Sequence, residues 1–209
     1  MPKMNIDLAS EDGPEQLVFG KCTTLYREKK YKEALDVLEK DLEKNPSSAP
    51  HICFKGYCLY GLGKNADALA AFEKAADLEP KRWEPQHGRG LALLSLKKTD
   101  KSLEAFENAI TKGNRAESYF FAAALQNIKG NKAKSDEYIK KAATINPKIC
   151  RDIYASTVNE MLKGDITLEE RMALKKSLSD VNKVCSKVNA KKSKSKKAGI
   201  SKKSKKGKK

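Results

Sequence analysis

Two histidines and five cysteines are nearly all that 209 residues offer to metal and nucleophile chemistry. His51 and His87 stand far apart, and no H-E-x-x-H, G-x-S-x-G or Cys–His pattern surrounds them. Cys22, Cys53, Cys58, Cys150 and Cys185 are odd in number and include no C-x-x-C, which argues against a disulfide framework or a zinc site. They read as reduced, mostly buried thiols of the cytosol or nucleus. The stretch Gly61-Leu62-Gly63-Lys64-Asn65 fails as a phosphate loop, because Cys58 stands where a glycine is needed and Asn65 where Ser or Thr is needed. The longest apolar run, near Leu91–Leu94, is far too short to span a membrane. The first residues, MPKMNIDLASEDGPEQ, are acidic and lack the apolar stretch of a secretory signal. These absences predict a chain with no catalytic residue, no metal and no cofactor. They place it in the cytoplasm, with the nucleus as a second compartment.

What is present is a period. Pro46 and Pro80 are 34 residues apart, Asn114 is 34 beyond Pro80, and Pro147 is 33 beyond Asn114. Leu35, Leu69 and Leu103 repeat at 34, and Leu38, Phe72, Phe106 and Tyr138 follow on the same helical face. Each unit also holds two small residues twelve apart: Cys22/Ala34, Gly56/Ala68, Gly90/Ser102 and Ala123/Ser135. Two helices joined by a short turn approach closely only where neither carries bulk, so each pair marks a crossing. Gly63 and Gly130 sit where the first helix of a unit ends and a positive φ is wanted. The first unit has Glu28-Lys29-Lys30-Tyr31 at that turn. Pro50 and Pro85 fall in the first turn of the following helices, where a missing N–H costs little.

These residues resemble the tetratricopeptide-repeat family, whose unit is a 34-residue helix–turn–helix. Residues 49–82 match the family pattern best, with Gly56, Tyr60, Gly63, Ala68, Phe72, Ala75 and Pro80. The outer units depart most: Lys21 and Asp41 in the first and Lys141 in the last occupy positions that are usually Leu or Ala. The resemblance implies an all-α, right-handed α-solenoid of about four units at 15–48, 49–82, 83–115 and 116–148, after a flexible 1–14. It also implies a concave groove lined by the first helix of each unit, which binds a partner protein segment. The register then assigns to the groove Phe19, Tyr26, Tyr57, Tyr60, His87, Leu91, Phe120 and Asn127, with Thr23, Cys53, Leu94 and Ala124 beside them. That lining suits an apolar or amphipathic segment. It does not suit the chaperone carboxylate clamp of the family. The clamp's Lys, Asn and Arg positions hold Phe19 and Thr23, then Phe54, then Glu84 and Gly88. The groove could equally be filled by side chains packing between helices, or by the chain's own helix at 151–163.

After the repeats, residues 149–189 read as capping helices that cover the open end of a solenoid. Tyr154, Val158, Met161 and Leu162 share a face in 151–163. Thr167 and Glu170 form a capping-box pattern, and Leu174, Leu178, Val181, Cys185 and Val188 follow with 4-3-4-3 spacing. Residues 190–209 hold Lys191, Lys192, Lys194, Lys196, Lys197, Lys202, Lys203, Lys205, Lys206, Lys208 and Lys209, and no acid. These eleven charges belong to the net +16 of the chain and leave +5 for residues 1–189. Such a composition is expected to be disordered and to bind polyanions by releasing counterions. It lacks aromatic residues for base stacking and Arg for guanine readout. RNA, the ribosome, an acidic protein or an import receptor are the partners this chemistry admits. The alternative to an adaptor is therefore an RNA- or ribosome-associated protein whose tail supplies most of the affinity.

Overall fold

Four short turns set the architecture. They lie at Lys29, Gly63, Lys97 and Gly130, with φ of 62°, 77°, 59° and 78°. Each closes a helix in the same way. The N–H after the left-handed residue donates back to a carbonyl five residues earlier: Lys30 to Leu25, Lys64 to Leu59, Lys98 to Leu93 and Asn131 to Gln126, at 2.9–3.0 Å. The left-handed residue itself donates to Tyr26, Tyr60, Leu94 and Asn127 in turn, each at 3.0 Å. This pair of hydrogen bonds is the Schellman end of a helix, and it satisfies carbonyls that would otherwise be orphaned. The next helix starts at once, so every turn makes a helical hairpin.

The computed structural model describes residues 14–145 and, beyond them, 155, 158, 159, 162, 167–176, 178, 179, 181–184, 186 and 187. The expected N-terminal stretch up to residue 13, most of the helix expected at 151–163 and the tail 190–209 lie outside the described residues. The helices are α1 (Pro14–Arg27), α2 (Tyr31–Lys44), α3 (Ala49–Gly61), α4 (Asn65–Leu78), α5 (Glu84–Ser95), α6 (Thr99–Gly113), α7 (Ala116–Ile128) and α8 (Lys132–Ile145). Every described residue from 168 to 187 is also helical. Pro50 and Pro85 occupy the first turns of α3 and α5. Asn114, which stands where other units have Pro, ends α6 in the left-handed region at φ 44°.

The chain divides into two units, residues 4–114 and residues 115 onward. In the first, α1 packs on α2, α3 on α4 and α5 on α6, and successive hairpins join through α2 with α3 and α4 with α5. In the second, α7 packs on α8. The small pairs lie at the hairpin crossings. The Ser102 hydroxyl donates to the Gly90 carbonyl at 2.7 Å, and the Cys22 thiol lies 3.8 Å from the Ala34 carbonyl.

The space saved at the glycines is filled by aromatic rings from the second helices. A Cβ on Gly56 would meet the Phe72 ring at 2.8 Å, and one on Gly90 would meet Phe106 at 2.6 Å. Phe72 is wedged from the other side too, since a Cβ on Gly88 of the next hairpin would stand 2.2 Å from the same ring. Phe72 and Phe106 are fully buried. Truncating such a ring to Ala typically costs about 3–5 kcal/mol.

Candidate functional site

The groove residues expected from the register separate into two groups. Tyr57, His87, Leu91 and Phe120 are buried. Phe19, Tyr26, Tyr60 and Asn127 are half-buried. The first group is held by interior contacts. The Tyr57 hydroxyl donates to the Glu84 carbonyl at 3.0 Å, and its ring meets Phe72 edge-on at 4.8 Å. His87 sits between Trp83 and Phe106, at 5.9 and 5.3 Å between ring centroids. Burial pushes its pKa down to about 3, so the imidazole is neutral at physiological pH.

The half-buried residues of the first unit belong to a ladder of rings. It runs His51–Phe19–Phe54–Tyr26–Tyr31, with successive centroids 5.2, 5.2, 5.5 and 5.1 Å apart. Phe54 is its buried middle. Phe19, Tyr26 and Tyr31 show part of their surface; Phe19 and Tyr26 are backed by that core, and Tyr31 by the Tyr26 ring. Burial, with Tyr31, Cys58 and Tyr60 nearby, raises the Tyr26 phenol well above its ordinary range, so its O–H stays protonated. Gly61 leaves room for Tyr31, since a Cβ there would stand 2.8 Å from the ring. Sequence reading found Phe19 and Tyr26 but missed Tyr31, which begins α2. The available signal was Gly61, one small residue that the repeat pattern does not require.

Among the described residues, Cys22, Cys53, Cys58, His51 and His87 are all buried. Cys22 is raised to about 11 by burial and the nearby Asp41, and Cys58 to about 12 by burial and Cys22. Burial, then the Glu84 carboxylate, pushes Cys53 further up still. None of the three is a thiolate at neutral pH, so none is poised as a nucleophile. His51 ties the end of α2 to the start of α3. Its Nδ1 is 2.6 Å from the Ser48 hydroxyl, while Nε2 lies 3.2 Å from the Asp41 carboxylate, too bent for a hydrogen bond. Phe19 closes over the ring of this buried histidine. Among the described residues no cluster of three His, Cys, Asp or Glu could hold a metal, and no helix is long and apolar enough to cross a membrane.

Residues 4–114 also hold two clefts lined by none of the residues that the register assigns to the groove. One, of about 610 Å³, is lined by Leu35, Glu39, Lys55, Leu59 and Lys64 among others. The other, of about 290 Å³, is lined by Leu69, Glu73, Arg89, Leu93 and Lys98 among others. The second set is the first displaced by 34 residues, and each cleft is crossed by an ion pair: Lys55–Glu39 at 2.9 Å and Arg89–Glu73 at 3.8 Å. The repeat thus copies its surface as well as its core.

In the second unit, α7 is buried without a break from Ser118 to Gln126. Asn127, just beyond, donates from Nδ2 to the Ala173 carbonyl at 2.8 Å. The capping box at the start of that C-terminal helix is formed: the Thr167 N–H meets the Glu170 carboxylate at 2.7 Å, and the Glu170 N–H meets the Thr167 hydroxyl at 3.2 Å.

Residues 8–75 match the family of subunit 3 of the anaphase-promoting complex (cyclosome), and residues 116–149 match the tetratricopeptide repeat. No curated protein matches the chain in sequence. Among solved structures, a thermophilic tetratricopeptide-repeat protein of Thermus thermophilus is similar with a TM-score of 0.59 at 18% identity, over 84% of this chain and 99% of that one. A MamA structure from Desulfovibrio magneticus has a TM-score of 0.57 at 17% identity, over 82% and 96%. YrrB, described as a tetratricopeptide-repeat protein with an unusual peptide-binding site, has a TM-score of 0.53 at 16% identity, over 84% and 90%. These likenesses carry the fold, and the family matches in both units carry the repeat. With four helical hairpins closed by the same turn, the chain is a member of the tetratricopeptide-repeat family, an all-α scaffold of the kind used for protein–protein interaction.

Proposed function

We propose that the chain is a non-catalytic adaptor. Four repeats, at about 15–48, 49–82, 83–115 and 116–148, present a groove to an apolar or amphipathic segment of a partner protein. The region 149–189 caps the repeats, and the Lys-rich tail 190–209 contacts a polyanion. The observation that carries this reading is the aromatic ladder of α1, α2 and α3. Phe19 and Tyr26 are half-exposed yet backed by the buried Phe54, and Tyr31 is held against Tyr26, which lowers the cost of ordering these side chains on binding. Rigid aromatic surface of this kind, with a hydrogen-bonding tip on each Tyr, is what interface anchors are made of. YrrB, a structural neighbour described as having an unusual peptide-binding site, supports the same use of the fold.

The tail supports a second reading, in which association with RNA or the ribosome dominates. Eleven lysines without an acid give strong, salt-sensitive attraction to any polyanion. One experiment addresses both. Crosslinking mass spectrometry from cells compares the full chain, a Phe19→Ala/Tyr26→Ala/Tyr60→Ala variant and a deletion of residues 190–209. Protein crosslinks are expected to drop with the aromatic variant and to survive the deletion. Retention of every protein crosslink by a folded aromatic variant would sink the adaptor reading. RNA or ribosome association that survives the deletion at moderate salt would sink the tail reading.

A further inference from the structure

Asn127, which the repeat register assigns to the groove, is already engaged by the chain itself. It bonds to the Ala173 carbonyl, and the next residue, Leu174, is fully buried. Val181, seven residues on, is 1% exposed, while Leu178 and Val184 are half-buried. Lys175, Lys176, Asn182 and Lys183 are exposed. The described residues of 168–187 therefore form an amphipathic helix that turns Leu174, Leu178, Val181 and Val184 inward and leaves Leu168 and Met172 of its first turns exposed, and it has its own N-terminal cap at Thr167 and Glu170. α8 packs along α7, yet α7 is buried on every face from Ser118 to Gln126, so more than one neighbour closes it.

We infer that helix 168–187 is an internal ligand seated against α7 at its Asn127 end, and that a partner helix takes this place by presenting apolar residues at i, i+4 and i+7, as Leu174, Leu178 and Val181 do. The inference rests on the adaptor reading for the existence of a partner, but not for the internal contact. It refines the class of segment recognised: an amphipathic helix rather than an extended peptide. It also means that the partner's affinity is reduced by the fraction of chains in which the internal helix is seated.

The test uses the full chain carrying Leu174→Asp and Val181→Asp, with a fluorescein-labelled synthetic peptide of residues 167–188 as the probe. The peptide is expected to bind the double variant saturably and the wild type at least roughly tenfold more weakly, because there the place is filled. Adding Asn127→Ala to the double variant weakens the peptide further. Equal binding to wild type and variant, or none to a double variant that keeps its helix content, overturns the inference. If the double variant loses its helices, a second chain carries a site-specific protease sequence in place of residues 163–166 and is cut after folding. Exchange of the cut fragment for labelled peptide, with α7 and α8 still helical, supports the internal ligand. Melting of α7 and α8 on that exchange makes 168–187 part of the core and overturns it. Either result leaves the Phe19, Tyr26 and Tyr60 variants free to judge the adaptor reading, because those residues lie in the other unit.

Discussion

The first and second helices of the hairpins are built on different principles. In α3, nine of thirteen residues are buried, and in α5 nine of twelve; in α2, only Ala34 and Leu38 of fourteen are buried. A second helix has one apolar stripe and a solvated back, so its 3.6-residue period is plain. A first helix such as α3 is packed by α2, α4 and α5 and has no solvated back to contrast with. The two kinds of helix therefore respond differently to substitution: the inner first helices α3 and α5 are limited by space, and second helices by the stripe they supply.

The largest effect should come where that limit is tightest. Gly88→Leu places a side chain where even a Cβ would stand 2.2 Å from the Phe72 ring, which is fully buried and cannot swing away. We expect a loss of about 3 kcal/mol in urea unfolding, the upper range for overpacking. Gly20 of α1 is the control, since a Cβ there meets nothing within 4 Å. Gly20→Ala should stabilise by about 0.5–1 kcal/mol through helix propensity alone. A neutral Gly88→Leu would mean that the inner first helices are not space-limited.

His87 tests the same interior by charge. Its folded pKa, about 3, lies below the ordinary value of 6.5. The unfolded chain therefore binds the proton first as pH falls, and stability is lost from about pH 6.5 downward until the folded form also protonates near 3. Between pH 7.5 and 5.5 the wild type should lose about 1.4 kcal/mol more than His87→Asn, measured by urea melts at both pH values. Equal losses would mean that the imidazole is solvated. A smaller change is expected at Tyr57→Phe, which keeps the ring and removes the bond to the Glu84 carbonyl, and should cost about 1 kcal/mol.

The same contrast explains what was legible in the sequence. The 34-residue period, the small pairs and the Gly63 and Gly130 turns come from local requirements, and each leaves a residue type behind. The groove depends on which side of a first helix stays open. That is decided by neighbours distant in sequence, and it leaves no period to read. Tyr57, His87, Leu91 and Phe120 have the composition of a binding surface and the burial of a core. Tyr31 was missed for the converse reason: it belongs to a second helix, where no groove residue was sought, yet it reaches the ladder because Gly61 leaves it room. Gly88 escaped too, because its constraint is set by Phe72 of the preceding hairpin and not by its own repeat.

The smallest effect sharpens the comparison at the turns, which belong to neither kind of helix. All four make the same pair of backbone bonds, but Lys29 and Lys97 do so at φ of 62° and 59°, where an L side chain crowds its own carbonyl, while Gly63 and Gly130 do so without that strain. The left-handed conformation costs a non-glycine residue roughly 1–2 kcal/mol, and glycine gives part of that back through the extra freedom of the unfolded chain. Lys97→Gly should therefore stabilise by about 0.5–1 kcal/mol in urea melts, with the bond from Lys98 to Leu93 unchanged. Gly63→Lys should lose a similar amount. If the two substitutions failed to move in opposite directions, the left-handed residue would not carry the strain difference between the Lys and Gly turns, and their common hydrogen bonding would overstate how alike the four turns are.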